Sequence, residues 1–220
     1  MNSNFTRRSV LAGGTSCAVL ATALPSKAQD KPKLRMSITV PESDLRVEAF
    51  KAIGGAMKDD FDMEIFYNSS LFKQGTDLTA MQRENLELSN IAPADVAKQI
   101  PAWSLLTSAY LFRDYNHVKK TFKSDVGKEF IKMAREQVGI EVLAPVYFGA
   151  RQINLRTATK ISTPADMAGI KLRMPAGEVW QFLGASLGAN PTPVAYAELY
   201  TSLQTGSRQS AGLGQNYEVL

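Results

Sequence analysis

The chain opens with an alternation. From Lys33 to Val40, Leu34, Met36, Ile38 and Val40 share one side, a period of two that predicts a half-buried strand. Ser43 then has the character of an N-cap, and Ala49, Phe50, Ile53, Ala56 and Met57 recur at helical spacing. Met63 to Tyr67 returns to strand character, which completes a β-α-β opening. A helix is predicted around Asp77 to Gln82, then a short strand at Leu88 to Ala92, a turn at Pro93 and a helix to Gln99.

Farther on, Val126, Phe130, Met133, Ala134 and Val138 lie on one helical face, and the apolar run Ile140 to Val146 behind Gly139 has the character of a buried strand. Arg151 to Leu155 predicts another strand. Thr163-Pro164-Ala165-Asp166 combines a capping residue, proline at the first helical position and an acid in the first turn. Ile170 to Met174 is a strand. Gly177 to Leu187 is a helix with Trp180, Leu183 and Leu187 inward and Gly188 as its stop, and Tyr196 to Thr205 is a helix closed by Gly206. Strands alternating with helices predict an α/β fold, its sheets covered by helices.

The N-terminal 28 residues follow a different logic. Arg7-Arg8 precedes a soft apolar stretch to Leu24 and a small-residue end at Ser26-Lys27-Ala28, the order of a twin-arginine export signal cleaved after Ala28. Cys17 lacks the leucine that a lipoprotein signal carries three residues earlier, so no lipid anchor is expected. This segment changes the charge picture. Three of the 25 basic residues sit in it, leaving 22 against 21 acids, so composition gives no support for a nucleic-acid partner. Cys17, the single cysteine, leaves with it, which excludes a disulfide, a thiolate nucleophile or a cysteine metal site in the exported product. No apolar run approaches the roughly 18 residues of a membrane span, so no direct membrane insertion is expected. The 45% hydrophobic and 21% charged content is that of an ordinary globular protein.

Little in the chain suits catalysis. His117, the sole histidine, stands at a helix start, where a capping or solvated role fits. One histidine builds no metal site, and no cofactor is expected. Gly184-Ala185-Ser186-Leu187-Gly188 has the letters of a nucleophile elbow, but Ser186 falls inside an amphipathic helix and no histidine follows it. No Gly-rich phosphate cradle is present. What remains are arginines near strand ends. Arg151 follows Gly149-Ala150, and Arg173 lies in the otherwise apolar Ile170-Lys171-Leu172-Arg173-Met174-Pro175. An arginine near a strand's carboxyl end sits where open α/β sheets bind ligands, and its guanidinium suits a carboxylate. On chemistry alone, a salt bridge to an acid at the sheet edge is an equal alternative.

The runs Thr163 to Pro175, Leu187 to Val194 and Ala197 to Gly206 resemble the DctP family of periplasmic solute receptors for TRAP transporters, and Leu111-Phe112-Arg113-Asp114 and Val126-Gly127-Lys128-Glu129 also fit. The resemblance covers Lys33 to Gly206. It implies two α/β lobes of a type II-like periplasmic binding protein, 29–150 and 151–220 here, closing on a small organic acid that is delivered to membrane permease subunits without chemistry. In that family the arginine of the K-x-R-x-P strand grips the ligand carboxylate, here Arg173, and Arg151 matches a second site arginine. Tyr196 falls where an aromatic often meets the ligand, although an aromatic at a helix start is as often core. Gln74, in Phe72-Lys73-Gln74-Gly75, and Asp95, in Ala92-Pro93-Ala94-Asp95, correspond to walls of the first lobe. Family members continue after Gly206 with D-G-Q-D-N or D-G-Q-E-N, which this chain replaces with Ser207 to Asn216; Asn216 is a candidate displaced remnant. The expectation is therefore a receptor lacking the C-terminal part of its fold. A non-functional fragment, a secreted hydrolase and a periplasmic sensor are the alternatives.

Overall fold

The computed structural model describes residues 31–156 and 158–205, together with the backbone of strand 210–215. The export signal of residues 1–28 and Asn216 lie outside the described residues. Three strands form the first sheet: β1 (Lys33–Ser37), β2 (Asp62–Phe66) and β3 (Leu88–Ser89), ordered β2-β1-β3 and all parallel. Parallel pairing requires crossovers, supplied by α1 (Leu45–Ala56) between β1 and β2 and by α2 (Asp77–Gln82) before β3. Then follow α3 (Pro93–Val96), a 3-10 segment Pro101–Thr107, α4 (Tyr115–Lys123) and α5 (Asp125–Val138).

The second sheet has the order β4-β7-β5-β6, made of β4 (Arg151–Leu155), β5 (Lys171–Met174), β6 (Asn190–Pro193) and β7 (Ser210–Gln215). β5 is parallel to β6 and β7, and β7 runs antiparallel to β4. A 3-10 turn (Pro164–Met167) precedes β5, α6 (Glu178–Ser186) joins β5 to β6, and a 3-10 turn (Tyr196–Glu198) leads into α7 (Leu199–Gln204). The Thr163 prediction holds as a capping box, with Asp166 accepting from the backbone N–H groups of Ser162 and Thr163.

Three apolar clusters carry the packing. Met36, Ile38, Val40, Val47 and Phe50 line the first sheet; Leu78, Ile100 and Trp103 pack with Phe130 and Ala134 of α5; Met167, Leu172, Met174 and Trp180 line the second sheet. Ala94 of α3 belongs to the third cluster, and Val179 packs against both the second and the third, which knits the two halves together.

Several expectations are corrected. The cap of α1 is Asp44, which accepts from the Arg46 N–H, rather than Ser43. The buried face of that helix is Val47 and Phe50; Ile53 is 51% exposed. Val126 is exposed too, and Gly127 takes its place on the buried face of α5. The run Ile140 to Val146 forms no strand: only Ile140 is buried and Leu143 is 77% exposed. An apolar run becomes a strand only beside a ladder partner, and none of the described strands pairs with it. Strand β7, in the interior of the second sheet, was not foreseen, because the glycine-broken Ser210–Gln215 carries only a weak alternating signal.

Candidate functional site

The carboxyl ends of β1 and β3 in the first sheet and of β5 and β6 in the second open onto one cleft. Thr39 and Val40 after β1, Asn90 and Ile91 after β3, Pro175 and Ala176 after β5, and Val194 to Tyr196 after β6 all line it. The whole depression measures about 1950 Å³, well above the roughly 300–1,000 Å³ of a typical small-molecule pocket. A ligand therefore occupies part of it, and the polar side chains indicate which part.

Arg173 lies on β5 between Leu172 and Met174 and is only 6% exposed. Its Nε donates to the Val194 carbonyl at 2.8 Å, which fixes the plane of the guanidinium. Its Nη2 is buried and has no hydrogen-bond partner. Burial, the neighbouring positive Arg151 and, in opposition, the Tyr196 phenol bring its pKa to about 10, so at neutral pH it is a full cation held away from water. The sheet-edge acid that was its alternative partner is absent among the described residues.

Arg151 opens β4. Its surface is exposed to the cleft, yet protein surrounds it closely enough that desolvation lowers its pKa, with a further lowering from Arg46. Its Cζ lies 4.5 Å from the ring centroid of Trp180. Arg46, the second residue of α1, is tied to Asp44 by two hydrogen bonds of 2.7 Å and lies 4.8 Å over the Phe148 ring. Arg46 thus has its own counter-ion, whereas Arg151 and Arg173 have none among the described residues.

The other predicted residues form the opposite wall. Tyr196 packs against the first-sheet cluster, so it serves as core as well as lining, and its backbone N–H donates to Gln74 Oε1 at 2.8 Å. Gln74 leads into Gly75, whose φ of +84° suits glycine, and a Cβ there would stand 2.9 Å from both Asp95 Oδ1 and Lys98 Nζ. Asp95 is paired with Lys98 at 2.7 Å, so its charge is spent locally. The structure thus brings Arg151, Arg173, Tyr196, Gln74 and Asp95 to one cleft. Sequence reasoning missed Asp77, an 8% exposed carboxylate at the start of α2. Burial raises its pKa, hydrogen bonds with Ser37 and Ser89 oppose the rise, and Asp95 adds to it. Arg46 and the platform role of Trp180 were missed as well; an arginine two residues after a capping aspartate was the only available signal for the former.

The two residues with a catalytic alternative in the sequence are each engaged within their own helix. The Ser186 hydroxyl donates to the Phe182 carbonyl of its own helix turn, and His117 sits at the start of α4, its N–H donating to the Asp114 cap. Among the described residues no group of three or more His, Cys, Asp or Glu is placed to hold a metal ion, and no helix is long and apolar enough to cross a membrane.

Two sheets with strand ends and uncompensated arginines facing one cleft form an α/β arrangement suited to holding a small anion. The chain belongs to bacterial extracellular solute-binding protein family 7, the DctP family, whose profile matches residues 36–208. It is 31% identical over 150 residues to the C4-dicarboxylate-binding periplasmic protein DctP of Rhodobacter capsulatus, covering 66% of this chain and 43% of that protein. It is 29% identical over 148 residues to the 2,3-diketo-L-gulonate-binding periplasmic protein YiaO of Escherichia coli, covering 67% and 44%. Among solved structures, a TRAP periplasmic solute binding protein from Roseobacter denitrificans with bound 3-deoxy-D-manno-oct-2-ulosonic acid superposes with a TM-score of 0.80 at 37% identity, over 82% of this chain and 61% of that one. The chain spans about half the length of these curated relatives.

Proposed function

We propose that this protein is the extracytoplasmic receptor of a TRAP transporter, capturing a small organic acid of the sugar-acid type and passing it unchanged to membrane permease subunits. The observation that carries the reading is Arg173: a buried cation whose Nε is fixed by Val194 and whose Nη2 has no partner. Burying a charge unpaired is costly unless an anion completes the site. A carboxylate on that free edge, with Arg151 beside it, supplies the missing partner through charge-assisted hydrogen bonds. The ligands of relatives support the acid class, since the 37% identical receptor holds an ulosonic acid.

In this reading residues 29–150 and 151–220 are the two lobes, a division supported by the confinement of the first sheet to Lys33–Ser89 and of the second to Arg151–Gln215. Residues 1–28 are the twin-arginine export leader that brings the receptor to the periplasm, and replacement of Arg7 and Arg8 by lysine is expected to leave it in the cytoplasm.

The test is thermal unfolding of the chain with 3-deoxy-D-manno-oct-2-ulosonate, galacturonate, galactonate and succinate, with neutral sugars as controls. A ligand at a hundred times its Kd adds about 2.7 kcal/mol, a shift of several degrees. A melt raised by the acids alone supports the receptor. A melt indifferent to all of them, or turnover of an acid, refutes it.

A further inference from the structure

We propose that Trp180 is the positioning residue of the site, its indole face holding the Arg151 guanidinium over the cleft with no counter-ion and so setting how tightly an anion is held. The inference rests on the carboxylate-receptor reading above and adds to it a residue that determines affinity.

Arg151 stands among like charges. Arg173 and Arg46 both act on it or it on them, and each pushes against the cation. Arg46 is neutralised by Asp44, and no aspartate or glutamate among the described residues forms an ion pair with Arg151. A long flexible cation in such a field would turn away toward water unless something held it. What lies beneath it is Trp180, with the guanidinium carbon 4.5 Å from the ring centroid, inside the roughly 6 Å range of a cation–π contact.

The platform is rigid. Trp180 is 4% exposed, sits in the first turn of α6 and packs among Leu172, Met174 and Leu183. An aromatic platform also does what a carboxylate there could not. It attracts the face of the guanidinium without neutralising it, and its hydrogen-bonding edge stays open for an acceptor. An aspartate in place of Trp180 would consume the charge that the ligand has to meet.

The experiment is a double-mutant cycle on the full chain, with 3-deoxy-D-manno-oct-2-ulosonate as probe and calorimetry as readout. It compares wild type, W180F, W180L, W180M, R151A and the W180L/R151A pair. Loss of the cation–π contact is expected to weaken binding about tenfold in W180L and W180M, with W180F within about threefold of wild type. In the R151A background, W180L is expected to cost nothing further. Equal weakening in W180F and W180L, or the same loss with and without Arg151, overturns the inference and leaves Trp180 as packing alone. If wild type binds no acid, the receptor reading fails instead. The urea midpoints of the same proteins then decide the contact, non-additive shifts supporting it and additive ones refuting it.

Discussion

Gln74 Oε1 accepts the backbone N–H of Tyr196 at 2.8 Å, joining two residues 122 positions apart in the chain. The bond runs from the loop before α2 to the turn after β6, and both residues line the cleft. A partly buried backbone donor that loses its acceptor costs about 1–3 kcal/mol. Gln74→Ala is therefore expected to lower the urea midpoint, and Gln74→Glu, which keeps an acceptor at the same reach, to restore most of it. Equal losses in the two variants would show that the side chain acts through bulk rather than through this bond.

Arg173 invites a variant that separates stability from binding. Its replacement by methionine removes one hydrogen bond, to Val194, worth about 1 kcal/mol. It also removes a buried cation that has no anion among the described residues, and since replacing even a paired buried charge by apolar side chains of similar volume is often neutral or stabilising by about 1–4 kcal/mol, loss of an unpaired one is favourable. The second effect is the larger, so ligand-free Arg173→Met is expected to melt at or above wild type. Binding of a carboxylate is expected to fall by roughly 2–5 kcal/mol, because the lost partner is charged and desolvated. A variant that melts much lower, or binds acids as before, would remove Arg173 from the role given to it.

The elements most legible in the sequence were those whose own periodicity or caps fix them. Thr163 and Asp166 declare their capping box locally, and Arg151 to Leu155 needs only its extended pattern to be seen as β4. Ile140 to Val146 shows the limit: its apolarity was read correctly and its strand was not, since pairing is a property of a neighbour. The two arginines stood out because a charge inside an apolar strand or beside a glycine is conspicuous. Trp180 stood out only as core, for no one-dimensional pattern places an indole under an arginine 29 positions away.

Gly188 ends the α6 region with φ at +86°, and a Cβ there would collide with the Pro164 carbonyl oxygen. Both the conformation and the space exclude a side chain. The obstacle is backbone, held by the capping box of the Pro164 turn, so it cannot swing aside as a flexible side chain would. Gly188→Ala is expected to destabilise by about 2–4 kcal/mol, the sum of left-handed strain and overpacking. The check is the denaturation midpoint; a loss under about 1 kcal/mol would mean that the turn relaxes.

Asp77 gives the stability a pH dependence of definite sign. Burial raises its folded pKa above the ordinary 3.8, so the folded state holds the proton more tightly than the unfolded chain. Its contribution is then fully favourable below about pH 3.8 and is lost as pH rises through the folded value. Asp166, held below its ordinary pKa by the Ser162 and Thr163 N–H groups, runs the opposite way, losing its contribution as pH falls. A comparison of wild type with Asp77→Asn cancels Asp166 and isolates the buried acid. Asn keeps a hydrogen-bonding group beside Ser37 and Ser89 and cannot ionise, so it escapes the cost of a buried charge. The variant is expected to melt higher than wild type at pH 7, with the gap closing as pH approaches 3.8. A variant less stable at pH 7 would show that the serine hydroxyls outweigh desolvation, and that Asp77 is retained as an anion because it stabilises the fold.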